Sequence, residues 1–218
     1  MKPTTLLTTT LAALASSAPV PAPQAASGSC KAVTVLFARG TFELPTMGSV
    51  VGPGLASDLG QALGAGNVAV QGVSYGADVG GIFTEIAPTG GAGTAAMFAA
   101  AQQVLSSCPD TKLVLSGYSQ GAMLVHNTAT RLGANAGKVA AAVTFGDPFK
   151  SVKLQGIPAE KFKTFCATGD PVCGLGGVSA LSGMVSSGGD QSSSMLNHLG
   201  YGADAPAAAK FIQSRVAA

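Results

Sequence analysis

Ser119, His198 and two aspartates, Asp147 and Asp170, are the side chains whose types and surroundings could do chemistry in this chain. Ser119 lies in Gly117-Tyr118-Ser119-Gln120-Gly121, with the apolar run Leu113-Val114-Leu115 before it and a proline-free stretch running to Leu132 behind it. A serine alcohol is a weak nucleophile unless it is held clear of the backbone beside a base, and a tight strand-to-helix turn does that holding. The flanking glycines follow from the same geometry, because the turn brings those positions too close for side chains. The first turn of a helix behind Ser119 aims unpaired N–H groups at the serine, and they favour the oxyanion of an acyl-transfer intermediate. A second Gly-x-Ser-x-Gly, Gly72-Val73-Ser74-Tyr75-Gly76, is followed by Ala-Asp-Val-Gly-Gly. That run is too rich in glycine for a helix, so Ser74 reads as a turn serine.

The serine needs a base, and the chain has two histidines. His126 sits seven residues further along the predicted helix, about 10 Å along its axis, beyond hydrogen-bonding reach. His198 remains, placed in a loop ahead of the last helix, where the chain order serine, acid, histidine puts the base. Asp147 and Asp170 each follow a predicted strand in a Gly-Asp-Pro turn, and either could orient the imidazole. Asp170 is preferred because a Cys166–Cys173 bridge would fix its loop; the alternative for Asp147 is a turn-shaping aspartate. The oxyanion requires two donors. One is the Gln120 backbone N–H, and the other is expected from Thr41 in the loop after the first strand, where a turn or capping threonine is the competing reading.

These groups need a scaffold. Apolar runs at 31–38, 67–73, 111–116, 139–145 and 163–167 read as buried strands, and helical patterns fall at 54–63, 92–107, 120–132 and 205–216. In the first helix Leu55, Leu59 and Leu63 recur every fourth residue on one face, and Pro109 stops the second. Strands alternating with helices predict an α/β fold, a parallel sheet covered on both faces, with the serine at the carboxyl edge where such sheets carry their sites. Gly91-x-Gly93-x-x-Ala96 lacks a buried strand before it, so it is read as the start of a helix and not a dinucleotide fingerprint.

Charged residues make up 10% of the 218, against roughly 25% in an average soluble domain, and the formal net charge is +2. With no run of Lys or Arg and no phosphate-binding lysine motif, nucleic-acid and nucleotide-dependent functions have no support. Residues 1–18 combine a basic start, a short apolar run and small residues, which predicts a secretory signal peptide. The Pro/Ala/Ser segment 19–29 is expected to be a flexible mature N-terminus or propeptide, and 30–218 a single catalytic domain. Four cysteines in an exported chain predict two disulfides; of the three connectivities the favoured one is Cys30–Cys108, tying the start of the fold to a helix end, with Cys166–Cys173, closing a very short loop around Asp170. Neither cysteine spacing nor histidine count suits zinc, and no metal is expected.

Taken together the motifs resemble the cutinases, secreted serine esterases of the α/β-hydrolase superfamily. The resemblance rests on Ala38-Arg39-Gly40-Thr41, Gln71-Gly72-Val73, Cys108-Pro109-Asp110, the Ser119 pentapeptide, Cys166-x₂-Gly169-Asp170-x-Val172-Cys173 and His198-Leu199-x-Tyr201. It implies a three-layer sandwich around a five-stranded parallel sheet and a triad of Ser119, Asp170 and His198. It also implies an oxyanion hole from Thr41 and Gln120, and hydrolysis of cutin-like polyesters and short-chain esters without a cofactor. The expected substrate partner is an ester, presented at an insoluble polyester surface, and the chain is expected to be an extracellular monomer with no integral membrane segment. Two departures stand out: the bulky Phe42 beside the oxyanion loop, and a segment 174–197 longer than the family's usual connection. Leu175, Val178, Leu181, Met184 and Val185 recur there at helical spacing, ahead of a serine-glycine tether running to Ser194. The segment reads as an apolar flap or as an insertion without a role. Competing functions are an acetylxylan esterase of the same fold and a noncatalytic secreted surface-active or carbohydrate-binding protein.

Overall fold

A computed structural model describes residues 30–87, 89–173 and 191–217. The expected signal peptide and N-terminal segment, and the five flap residues Leu175, Val178, Leu181, Met184 and Val185, lie outside the described residues. Five strands, β1 (Val33–Ala38), β2 (Val68–Gly72), β3 (Lys112–Tyr118), β4 (Val139–Phe145) and β5 (Phe162–Phe165), form one sheet in the order β2-β1-β3-β4-β5. Every neighbouring pair is parallel. Each strand is therefore linked to the next by a crossover containing helix or turn, as the alternating sequence pattern requires.

Among the described residues six α-helices accompany the sheet: α1 (Gly52–Leu63), α2 (Val79–Glu85), α3 (Ala92–Ser107), α4 (Gln120–Leu132), α5 (Gln191–Leu199) and α6 (Ala205–Val216). Side chains alternate along β1, so that Val33, Val35 and Phe37 meet Leu55 and Leu59 of α1 and Ala208, Ala209 and Ile212 of α6. Leu36 and Ala38 point the other way, into a second core with Met97 and Ala101 of α3 and Leu124, Val125 and Ala129 of α4. This double burial explains why β1 and β3 are nearly continuous apolar runs. The three layers leave the carboxyl ends of β1, β3, β4 and β5 along one edge, and the loops that follow them carry the candidate residues.

Two helices were not expected from the sequence. The stretch after Ser74, judged too glycine-rich for a helix, forms α2 from Val79, started by the Asp78 carboxylate accepting from Gly81 N–H at 2.7 Å. A β-carbon at Gly81 would meet the side-chain amide of Gln120, which would have to shift from its bond to the Asp78 carbonyl. Likewise His198 lies in α5 and not in a loop, and the tether expected to extend to Ser194 gives way to helix at Gln191. The low intrinsic helicity of a serine-rich stretch is overridden by the packing of its last turn, where His198 is buried.

Candidate active site

A single residue, Ser119, separates β3 from α4. Its φ of 55° and ψ of −118° lie in a region L-residues rarely adopt, the strained backbone expected of an exposed nucleophile at a sharp turn. The position is held from both sides. Ser119 N–H donates to the Phe145 carbonyl at 2.9 Å, continuing the β3–β4 ladder, while α4 packs back against the end of β1. Both flanking glycines are sterically required: a β-carbon on Gly117 would strike the Gly121 carbonyl, and one on Gly121 would strike the carbonyls of Ala38 and Arg39.

His198 reaches this turn from α5. Its Nε2 lies 2.9 Å from Ser119 Oγ and its Nδ1 lies 2.8 Å from Asp170 Oδ2. Asp170 Oδ1 accepts from Val172 N–H at 2.8 Å, inside the short loop closed by the Cys166–Cys173 disulfide. Burial pushes the Asp170 carboxyl up, but hydrogen bonds from His198 and Tyr201, together with the imidazole beside it and Val172 N–H, outweigh this and hold it below the usual carboxylate value. The imidazole is also braced by its backbone, because the Tyr118 hydroxyl donates to the His198 carbonyl at 2.8 Å. Burial raises the Tyr118 phenol well above its ordinary range, so it stays a donor. Gly146, with φ of 53°, lies so close to the imidazole that any β-carbon would displace it.

Gln120 opens α4, so its backbone N–H is one of the unpaired donors of the first turn. Thr41 Oγ1 lies 3.4 Å from Gln120 Oε1, and Gln120 Nε2 donates to the Asp78 carbonyl at 3.1 Å. The Gln120 side chain thus ties the loop after β1 to the start of α2. The loop itself is organised by Arg39 and Glu43. Arg39 donates to the carbonyls of Glu43 and Tyr75, and the Glu43 carboxylate accepts from Gly40, Ser49 and Val50 N–H groups at 2.6–2.8 Å.

The cutinase family model matches residues 29–216. The chain belongs to the cutinase family. It is 47% identical to Cutinase 4 of Emericella nidulans over 185 residues, which are 85% of this chain and 72% of that protein. Trichoderma reesei cutinase, solved in complex with a C11Y4 phosphonate inhibitor, matches with a TM-score of 0.72 and 39% identity over 86% of this chain and 77% of its own. An acetyl xylan esterase solved as an iodinated complex matches with a TM-score of 0.60 and 26% identity, over 86% of this chain and 100% of its own.

Within this cutinase-family chain, the structure brings Ser119, His198 and Asp170 into one hydrogen-bonded run and sets Thr41 Oγ1 against the Gln120 side chain. Both expected disulfides are present, Cys30–Cys108 and Cys166–Cys173. Asp147 is placed elsewhere: its carboxylate accepts from Thr144 Oγ1 at 2.7 Å and Phe149 N–H at 2.8 Å, and it pairs with His126 Nε2 at 2.9 Å. The two histidines therefore each hold an aspartate, and only one of them meets a serine. Ser74 sits exposed in the loop after β2, four residues short of the Asp78 cap. Sequence reasoning missed Tyr118, Tyr201, Arg39 and Glu43, which fix the backbone around the site. Their signal was available in part: Arg39 and Glu43 bracket the Thr41 loop in a chain where charge is scarce. Among the described residues no group of three or more His, Cys, Asp or Glu side chains is placed to hold a metal ion.

Proposed function

We propose that this cutinase-type ester hydrolase cleaves short-chain esters and cutin-like polyesters by acyl transfer through Ser119, His198 and Asp170. The observation that carries the reading is the continuous hydrogen-bonded run from Ser119 Oγ through both nitrogens of His198 to Asp170 Oδ2, at 2.9 and 2.8 Å. His198 takes the hydroxyl proton as Ser119 Oγ attacks the ester carbonyl, and Asp170 orients and stabilises the imidazolium that forms. Gln120 N–H and the Thr41 loop donate to the oxyanion. The imidazolium returns its proton to the leaving alcohol, and water repeats the sequence to release the acid.

Substrate presentation follows from the rim. Phe42 and Leu44 beside the oxyanion loop, Val79 and Phe83 on α2, and Leu196 and Leu199 flanking His198 are all exposed. Exposed apolar side chains on the three segments that carry Thr41, the Asp78 carbonyl bonded by Gln120, and His198 suit an aliphatic polyester surface better than an acetylated polysaccharide, which favours the polyester reading over acetylxylan esterase. No helix of the described residues is long and apolar enough to cross a membrane. With two disulfides and the leader-like residues 1–18, we place the enzyme outside the cell.

The deciding experiment is covalent labelling with an organophosphonate. The wild type should be labelled and lose activity, whereas Ser119→Ala should take up no label and retain only background hydrolysis. Label remaining in Ser119→Ala would reject Ser119 as the nucleophile. Activity on aliphatic polyester, butyrate esters and acetylated xylan, measured side by side, then separates the two substrate classes.

A further inference from the structure

Tyr201 lies in the 3-10 turn Tyr201–Asp204 between α5 and α6 and is buried against the site. Its hydroxyl oxygen receives the Ala167 N–H at 2.8 Å and lies 2.6 Å from Asp170 Oδ2. A backbone N–H can only donate, so the phenol oxygen accepts from Ala167 and its one proton is directed at the carboxylate. The oxygen that receives it is the same Oδ2 that faces His198 Nδ1. Asp170 is therefore held by Val172 N–H on one oxygen and by the phenol and the imidazole on the other. The ring has little freedom: it stands edge-on to His198 at 6.1 Å between centroids and to Phe145 at 6.4 Å, and it fills the space that a β-carbon on Gly146 would need. Burial, followed by the bond to Asp170, raises the phenol well above its ordinary range, so it keeps the proton it donates.

We propose that Tyr201 is a positioning residue for ester hydrolysis, its hydroxyl fixing the rotation of the Asp170 carboxylate so that Oδ2 stays aimed at the His198 imidazole. The inference rests on the reading of Asp170 as the orienting acid. With the phenol proton removed, Oδ2 loses one of its two donors and the carboxylate can turn, so the imidazole is held less well when it must accept the Ser119 proton. Ground-state binding of the ester does not involve this bond. The effect therefore belongs in kcat and not in KM.

The test is a double-mutant cycle on the full chain with a soluble nitrophenyl ester, each variant checked for folding by circular dichroism and thermal unfolding. Tyr201→Phe keeps the ring and removes the hydroxyl; kcat should fall about tenfold with KM unchanged, the scale of one lost charge-assisted hydrogen bond. In an Asp170→Ala background the same substitution should change the residual kcat by less than about twofold, because the hydroxyl then has no carboxylate to act on. A general packing role would cost the same factor in both backgrounds. Wild-type kcat in Tyr201→Phe, or an undiminished loss in the Asp170→Ala background, would overturn the proposal. Asp170→Ala alone separates this from the parent reading: unimpaired kcat there would sink the triad, while a low value with Tyr201→Phe unaffected would sink only the role of Tyr201.

Discussion

The chemistry assigned to Ser119 depends on the charge of a carboxylate that never touches the substrate. Asp170 must be an anion while the imidazole gains and loses its proton, and the donors around it keep its folded-state value below the usual one. Two consequences follow at the residue scale. The acid limb of kcat/KM should carry no contribution from Asp170 above its usual carboxylate value, since the donors around it keep it ionised there. An Asp170→Asn variant whose acid limb has the same shape as that of the wild type fits this; loss of a proton-uptake step from the limb in that variant would mean that Asp170 titrates within it. For folding, a depressed carboxylate contributes stability that is present above its unfolded value of about 3.9 and is lost as pH falls through the lower folded value. Urea unfolding of the wild type should therefore show this loss only below about pH 4. Asp170→Asn should be less stable than wild type at pH 7, with the gap closing as the pH is lowered through that window.

At the scale of elements, the elbow works because two backbones come closer than any side chain allows. Gly121→Ala would force the first turn of α4 away from the carbonyls of Ala38 and Arg39, displacing the nucleophile and the oxyanion loop together. Overpacking of this kind costs about 1–3 kcal/mol, and kcat should fall at least tenfold in an ester assay. Gly137→Ala, whose β-carbon meets open space, should leave both stability and kcat near wild type. This close approach is also why β3, Ser119 and α4 were legible in the sequence: a buried strand, a glycine-bounded serine and a helix must occur together for the turn to exist. The expected α3, α4 and α6 agree with the observed spans for a related reason, their ends being marked by proline, glycine or a change of polarity. The helices that escaped, α2 and α5, owe their existence to contacts distant in sequence. Gly80 and Gly81 lower the helicity of α2, yet the Gln120 side-chain amide packs into the space at Gly81, and the buried Glu85 anchors the far end through Thr94 N–H at 3.1 Å and the side chain of Asn127. In α5 the histidine was found by its chemistry while its helix was not, because its serines carry no apolar period. Tyr201 was visible only as part of a family motif, since its bond to Asp170 spans 31 residues.

For the whole molecule, the two disulfides close loops of very different size and do different things. Cys30–Cys108 spans 78 residues and joins the chain just ahead of β1 to the end of α3, so it restricts the unfolded chain strongly while lying outside the triad. Cys166–Cys173 spans only 7 and encloses Asp170. By loop closure alone the first contributes about 4–5 kcal/mol and the second about 2 kcal/mol. Replacing each pair by alanines should therefore rank oppositely in two measurements. Loss of the long loop should cause the larger fall in urea-unfolding free energy with kcat retained at low temperature. Loss of the short one should cost less stability and more kcat, because the turn presenting Asp170 to His198 and Tyr201 loses its closure. If the short-loop variant instead keeps full kcat, the carboxylate is held by its hydrogen bonds alone, and the phenol of Tyr201 and the amide of Val172 carry the positioning without covalent help.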